Sequence, residues 1–441
     1  MSKKKFSVII PSSKNETNFS LLKTLKNRFS DFEIILVIDA SHQLDVETLN
    51  EINLNTNKLI KVENSTRGKA LNAGAEQATN DYVWFLHIDS NIDKIQIDDF
   101  DRLKKNSLGY FKLAFDNKRN FINAKGANLR SEMFDLPFGD QSFLLSKNLY
   151  HLIGRFDEEL KEGEDHKFIW NAKALGVEIM EITREIKTSA RKYDDDSAGQ
   201  TFKTFFKTIK QAFGFKSESI KNIYCFFTKD PKSLESKTRL RKAVNDNELI
   251  NNFNSHCLNI LKKNILDLDK PENKIVIING GSHNGYLDKL GLSKYSIINF
   301  PGLGLGKAME EVYELCSPFA DHFIIAGSDI PQLESKHLKE AVSELKSYDS
   351  FIIPSKDGGF CCFSTKLKTL ENIFNRVQYG TNTVFNEFTK NLYNYKKADY
   401  QLIDVDTLKN LQDMYNELRV YKKINIEQKA LIDFIDKRKY H

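Results

Sequence analysis

The stretch that decides the fold is Lys69 to Ser90, KALNAGAEQATNDYVWFLHIDS. Lys69 to Ala78 reads as a helix, and Tyr82 to Leu86 as a strong strand that ends in His87-Ile88-Asp89. Outward from it, toward the N-terminus, lie a buried-type run, Phe6 to Ile10, ended by Pro11, and a second, Glu33 to Ile38, stopping at Asp39. A polar, helix-compatible stretch separates those two runs, and a weaker strand is expected at Leu59 to Val62. Strand, helix, strand, helix, strand is the pattern of a parallel sheet, whose ligands bind at the carboxyl ends of strands. Asp39 and Asp89 stand at such ends.

The second half repeats the plan. Strands are expected at Ile223 to Phe227, Lys274 to Ile278, Tyr295 to Asn299, His322 to Ala326 and Ser350 to Ile353. Helices between them include Gly306 to Cys316 and Glu334 to Leu345. A chain of 441 residues exceeds one ordinary core, so α/β domains in tandem, of about 200 residues each, are expected. Polar, aperiodic GFKSESIK, residues 214–221, marks the boundary, with domains at 1–215 and 218–441.

Bulk properties narrow the function. The 65 basic and 60 acidic residues leave a net charge of only +5, interspersed, which does not suggest a nucleic-acid coat. The 5 cysteines form no C-x-x-C pair, which argues against a disulfide framework and a zinc site. The apolar run of MSKKKFSVIIPSS is too short for a signal peptide, and no uninterrupted apolar stretch approaches membrane-spanning length. A soluble, cytoplasmic protein is expected. Thr201 to Phe215 places Phe202, Phe205, Phe206, Ile209 and Phe213 on one helical face. Core packing is the ordinary reading of such a face, and peripheral membrane contact stays open.

Sugar transfer from a nucleotide donor needs recognition of the nucleoside, neutralisation of the departing diphosphate, and a base for the acceptor. Asp39, in VIDAS, is placed to hydrogen-bond a ribose or base. Asp89, in FLHIDS, is placed to hold Mg²⁺ or Mn²⁺ against a diphosphate, with His87 able to approach the same metal. Glu164-Asp165, in KEGEDHKF, supplies a carboxylate that can act as general base. Each alone is also what a turn, a cap or a helix's first acidic turn would give.

Their joint order carries a resemblance. STRGKALNAGAEQATNDYVWFLHIDS (Ser65 to Ser90) resembles the central signature of family-2 glycosyltransferases of the GT-A fold. It is more narrowly similar to the transferase 2 subfamily associated with radical-SAM/selenodomain genes, in which a His replaces the first Asp of the metal motif. FGDQSFLLSKNLYHLIGRFDEELKEGEDHKFIWNAKALG (Phe138 to Gly176) resembles the acceptor-side block, and KTSARKY (Lys187 to Tyr193) the closing motif. The resemblance, over residues 5–215, implies an inverting sugar transferase. It implies Asp165, Asp140 and Glu164 as catalytic candidates and Asp89 and His87 at the metal. It also implies donor contacts from Pro11, Asp39, Ser41, Arg67, Lys69, Asn72 and Arg191, with Gly74 along the diphosphate. PSSKNE is one residue longer than the family spacing, and Ala40 stands where Gly is commoner.

In the second half, IIAGSDIPQL and IIPSKDGGF end strands at Asp329 and Asp357, and neighbouring strands could aim both carboxylates at one cleft with one or two divalent ions. Lys237 and Arg239, in FFTKDPKSLESKTRL, suit a triphosphate tail or are solvated helix charges. KTRL, GSDIPQL, KDGGF and DVDT (Asp404 to Thr407) resemble, in order, the transferase 1 family, a GT-A-like relative of the molybdenum-cofactor and phospholactate guanylyltransferases. That match, over residues 220–415, implies Asp329 and Asp357 at a metal and a structural Asp406. This half departs from the family in lacking a loop glycine before KTRL, in Gly306-Lys307, in Ile330, and in GGFCCFS.

The fold expected is thus α/β, two tandem GT-A-like, Rossmann-like domains with mostly parallel sheets. The expected activity is metal-dependent transfer from a nucleotide-sugar to a small-molecule or lipid acceptor, with a second nucleotide-handling, nucleotidyltransferase-like domain. The alternatives are a single active transferase domain with a C-terminal scaffold, and a non-enzymatic nucleotide-binding regulator.

Overall fold

A computed structural model of the chain describes residues 4–115, 128, 131–132, 135–188, 214, 218–281 and 284–438. It forms two compact units that divide between Ser219 and Ile220.

The first unit is built on strands β1 (Phe6–Ser12), β2 (Glu33–Asp39), β3 (Lys58–Val62), β4 (Tyr82–Phe85), β5 (Ser107–Phe115), β6 (Phe143–Ser146) and β7 (Glu178–Thr188). Their order is β3-β2-β1-β4-β6-β5-β7. β1 to β4 are parallel, so Asp39 and the residues after Phe85 leave the sheet at the same edge. β6 runs antiparallel to both β4 and β5. The residues of β1 and β2 from Val8 to Ile10 and from Ile34 to Ile38 are buried, which explains their uninterrupted apolar runs. Phe29, Phe32, Trp84, Phe100 and Phe111 pack beneath them ring against ring.

Pro11 does not end β1 but lies within it, opposite Val37. Its ring is tolerated because Ile9 is the last β1 residue paired with β4, and Leu86 N–H donates to the Ile9 carbonyl. Two residues further, Pro11 turns its nitrogen to that same side, where no ladder bond is required. The helix Arg67–Gln77 is capped by Thr66, whose hydroxyl accepts from Lys69 N–H at 3.2 Å. Gly74 lets it lie directly on the sheet, since a Cβ there would stand 2.4 Å from Ile9 Cγ2. Gly74 is thus a packing residue rather than the diphosphate contact expected for it.

The second unit has β8 (Asn222–Thr228), β9 (Asn273–Asn279), β10 (Ser296–Asn299), β11 (His322–Gly327), β12 (Ser350–Pro354), β13 (Phe360–Thr365) and β14 (Tyr395–Lys397). The order β10-β9-β8-β11-β13-β12-β14 reproduces that of the first sheet strand for strand. β13 runs antiparallel to both β11 and β12. Its adjacent Cys361 and Cys362 are both buried in the core, and burial pushes their thiols well above the ordinary range. Among the described residues, no helix is long and apolar enough to cross a membrane. Arg191 lies outside the described residues, as does all of Thr201 to Phe215 except Gly214.

Candidate functional site

In the first unit the carboxyl edge of β4 continues into a turn, His87-Ile88-Asp89, closed by Ser90 N–H donating to the His87 carbonyl at 3.1 Å. His87 and Asp89 are both half-buried there. The facing loop is fixed through Ser142, whose hydroxyl accepts from Trp84 Nε1 and donates to the Phe85 carbonyl, both at 2.6 Å. That anchor sets Gly139 and Asp140 over the end of β4. The helix Glu164–Leu175 begins at the same place and brings Glu164 and Asp165 inward, both buried.

Gly139 is where these groups converge. Its N–H donates to Asp165 Oδ2 at 2.8 Å. A Cβ on it would stand 2.9 Å from that oxygen and 3.5 Å from His87 Nε2. Arg67, at the start of its helix, ion-pairs with Glu164 through Nε and with Asp165 Oδ2 through Nη2 at 3.3 Å. Burial works against the Arg67 charge, but Asp165, Glu164 and Asp140 outweigh it and hold its pKa above the usual arginine value. Burial would likewise raise the Asp165 carboxyl. Arg67, His166 and the N–H groups of Gly139 and His166 overcome it and bring Asp165 down to about 2.

The other expected donor contacts are distributed differently. Asp39 accepts from the Ser41 hydroxyl, Ser41 N–H at 2.9 Å and Ser65 N–H at 3.0 Å, so it ties the end of β2 to the loop after β3. Those bonds hold its carboxyl down to about 2. Lys69 Nζ donates to the Glu63 carbonyl at 2.7 Å. Asn72 is the clear correction: it is buried, and its amide donates to the Phe156 carbonyl and Glu158 while accepting from Phe156 N–H and the Tyr150 hydroxyl. It pins the segment before Glu164 rather than facing a diphosphate.

In the second unit a cavity of about 540 Å³ opens at the carboxyl edge of its sheet. Asp329, just beyond β11, lines it with Asp357, Asp404, Asp406, Lys237 and Arg239. Asp329, Asp404 and Asp406 each bring a carboxylate oxygen within 4.8 Å of the others. Asp357 stays outside that group, exposed, its Oδ1 accepting from Gly359 N–H at 3.1 Å. Asp329 and Asp357, paired by the sequence, are therefore not grouped, and Asp406, expected to be structural, stands beside Asp329. Asp404 was missed, although DVDT carries two acids at strand-like spacing that place both on one side.

Lys237 is no solvated charge. Its side chain is 5% exposed, and Nζ lies 2.6 Å from Asp329, 3.2 Å from Asp406 and 3.5 Å from Asp404. Burial opposes the ammonium, and these carboxylates overcome it and raise its pKa. Burial, Asp329, Asp406 and Asp357 push the Asp404 carboxyl well above its usual range, against the pull of Lys237. Arg239 is exposed and donates to the Gly380 carbonyl at 3.3 Å. Buried Arg241, unnoticed in the sequence, holds the loop before Lys237 through the carbonyls of Ser236, Ser233 and Pro231.

Residues 7–122 match the model for glycosyl transferase family 2. Residues 267–381 match that of DUF2064, an uncharacterized protein family conserved in bacteria. A 2-phospho-L-lactate guanylyltransferase of Methanobrevibacter smithii is 29% identical over 205 residues, covering 44% of this chain and 88% of its own. Among solved structures, one described as a nucleotide-diphospho-sugar transferase from Desulfovibrio desulfuricans G20 aligns with a TM-score of 0.44 and 21% identity, over 50% of this chain and 98% of that one. S. aureus TarS 1–349 in complex with UDP aligns with a TM-score of 0.34 and 18% identity, over 47% of this chain and 65% of that one.

Proposed function

From a chain whose residues 7–122 match glycosyl transferase family 2, we infer that the first unit moves a sugar from a nucleotide-sugar donor to an acceptor hydroxyl with inversion. The observation that carries this reading is the meeting of Asp165 and His87 at Gly139 by the strand ends, with Arg67 bridging Asp165 and Glu164. His87 and Asp89 are the residues that would hold Mg²⁺ or Mn²⁺. Both are half-buried at the carboxyl end of β4, and their carboxylate and imidazole are donors that such an ion accepts. When bound, such an ion offsets the charge of the departing diphosphate.

The chain's own groups would supply the rest. Arg67 is the cation nearest the catalytic carboxylates and would turn to the diphosphate. Asp165 would take the acceptor's proton as its oxygen attacks the anomeric carbon, the electrons of the breaking bond leaving with the diphosphate. A base works best with a pKa near the working pH, so the Arg67 pair that holds Asp165 near 2 must loosen first. Recruitment of Arg67 by the donor diphosphate would do this.

The second unit is read as a nucleotide-handling site, supported by its cavity, its hard oxygen donors and the guanylyltransferase likeness. Asp329, Asp404 and Asp406 form a donor set of the kind Mg²⁺ and Mn²⁺ take. The test is a donor screen that follows release of nucleoside diphosphate, with and without Mn²⁺, on the whole chain and on Asp89→Ala and Asp329→Ala. Asp89→Ala is expected to abolish release and metal-dependent diphosphate binding. Tight, metal-stimulated diphosphate binding by Asp89→Ala would overturn the first assignment. Nucleotide binding unchanged in Asp329→Ala would leave the second unit a scaffold.

A further inference from the structure

Lys237 occupies the position that a cation held by Asp329, Asp404 and Asp406 together would take. Its ammonium contacts the same carboxylates, Asp329, Asp404 and Asp406, whose oxygens lie within 4.8 Å of one another. Mg²⁺ needs oxygen ligands at about 2.1 Å, so a divalent ion and an ammonium cannot both stand between these oxygens. Two positive centres there would also repel each other in a partly buried site.

The lysine is built in rather than resting there. Its backbone is left-handed, φ 54°, immediately before the helix Thr238–Val244. The preceding loop is held by Arg241, and by Asn254, whose amide donates to the Pro231 carbonyl and Ser236 hydroxyl at 3.2 Å. The stem is nevertheless a flexible chain that borders the cavity, which Lys229 and Arg239 also line. An anionic ligand in that cavity would give the displaced ammonium a new partner.

We propose that Lys237 is the resident cation of the Asp329–Asp404–Asp406 cluster, and that a divalent ion enters only by displacing the Lys237 ammonium into the cavity. The inference rests on reading this cluster as a divalent-ion site. It makes metal binding to the empty unit weak. It also couples metal entry to the arrival of a phosphate-bearing ligand, because the ammonium released by one is taken up by the other.

The test is Mn²⁺ binding, read by the loss of its free paramagnetic resonance signal, on the full chain. The background is Asp89→Asn, which removes the first unit's candidate ligand. Lys237→Met, and Lys237→Gln as a form that keeps a donor among the carboxylates, are expected to bind Mn²⁺ about tenfold or more tighter than this parent. Binding in every form is expected to disappear with Asp329→Asn. Asp329-dependent binding that is no tighter in the Lys237 variants would overturn the inference while leaving the metal-site reading intact. Absence of Asp329-dependent binding in all of them would overturn that reading, and the inference with it. A second measurement needs no Lys237 variant: saturating Mn²⁺ should accelerate labelling of Lys237 in the parent by an amine-reactive ester, read by peptide mass spectrometry. Labelling that Mn²⁺ leaves unchanged would refute displacement.

Discussion

Replacing Asn72 with alanine separates its observed place from the one expected for it. The carboxamide serves the Phe156 carbonyl at 2.9 Å, Phe156 N–H at 3.1 Å, Glu158 at 2.8 Å and the Tyr150 hydroxyl. Phe156 is 4% exposed and Tyr150 fully buried, so the substitution strands both backbone groups of one and the hydroxyl of the other. Each stranded buried group costs about 1–3 kcal/mol. The low end applies because the vacated, polar space has room for a water, which gives a loss of about 3 kcal/mol. With a urea slope of about 2 kcal/mol per molar, the unfolding midpoint should fall by about 1.5 M. Trp84 and Trp170, the chain's 2 tryptophans, both lie in the first unit, so their fluorescence follows that unit alone. Binding of nucleoside diphosphate by the folded fraction is expected to persist. An unmoved midpoint with diphosphate binding lost would refute the reasoning and return Asn72 to the donor site.

Acid should act through Asp165, whose folded pKa of about 2 lies below the ordinary 3.8. Stability from this carboxylate is therefore complete above about pH 4 and is lost as pH falls toward 2, a contribution of about 2 kcal/mol. Tryptophan-monitored urea midpoints from pH 5 to pH 2 should fall further in the parent than in Asp165→Asn, and equal slopes would contradict this. In the second unit, Gly358 has φ +94° and would place a Cβ 2.2 Å from the Asn382 carbonyl oxygen. Gly358→Ala should cost at least about 2 kcal/mol in calorimetric unfolding of that unit, leaving the tryptophan-reported transition unchanged. A melting profile identical to the parent's would show that the loop shifts freely.

The sequence by itself determined the strands that carry the sites and the acids at their ends. Runs such as Glu33–Ile38 and His322–Ala326 are apolar because both faces of a central strand are buried, and that is a local pattern. Asp39, Asp89 and Asp329 could be found because a strand that stops at an acid is also local. A strand such as β6 escaped notice because a short, buried run has no periodicity to distinguish it from helix or loop. What only the tertiary structure decided is which charges meet. Arg67 finds Glu164 across 97 residues, and Lys237 finds Asp329 across 92 and Asp406 across 169. Motif order could propose a role for each of them singly. Whether a lysine is solvated or buried among carboxylates depends on the path of the chain between them, and so does whether an asparagine faces a ligand or braces a loop. The paired groups offset each other's desolvation only once the sheets have assembled.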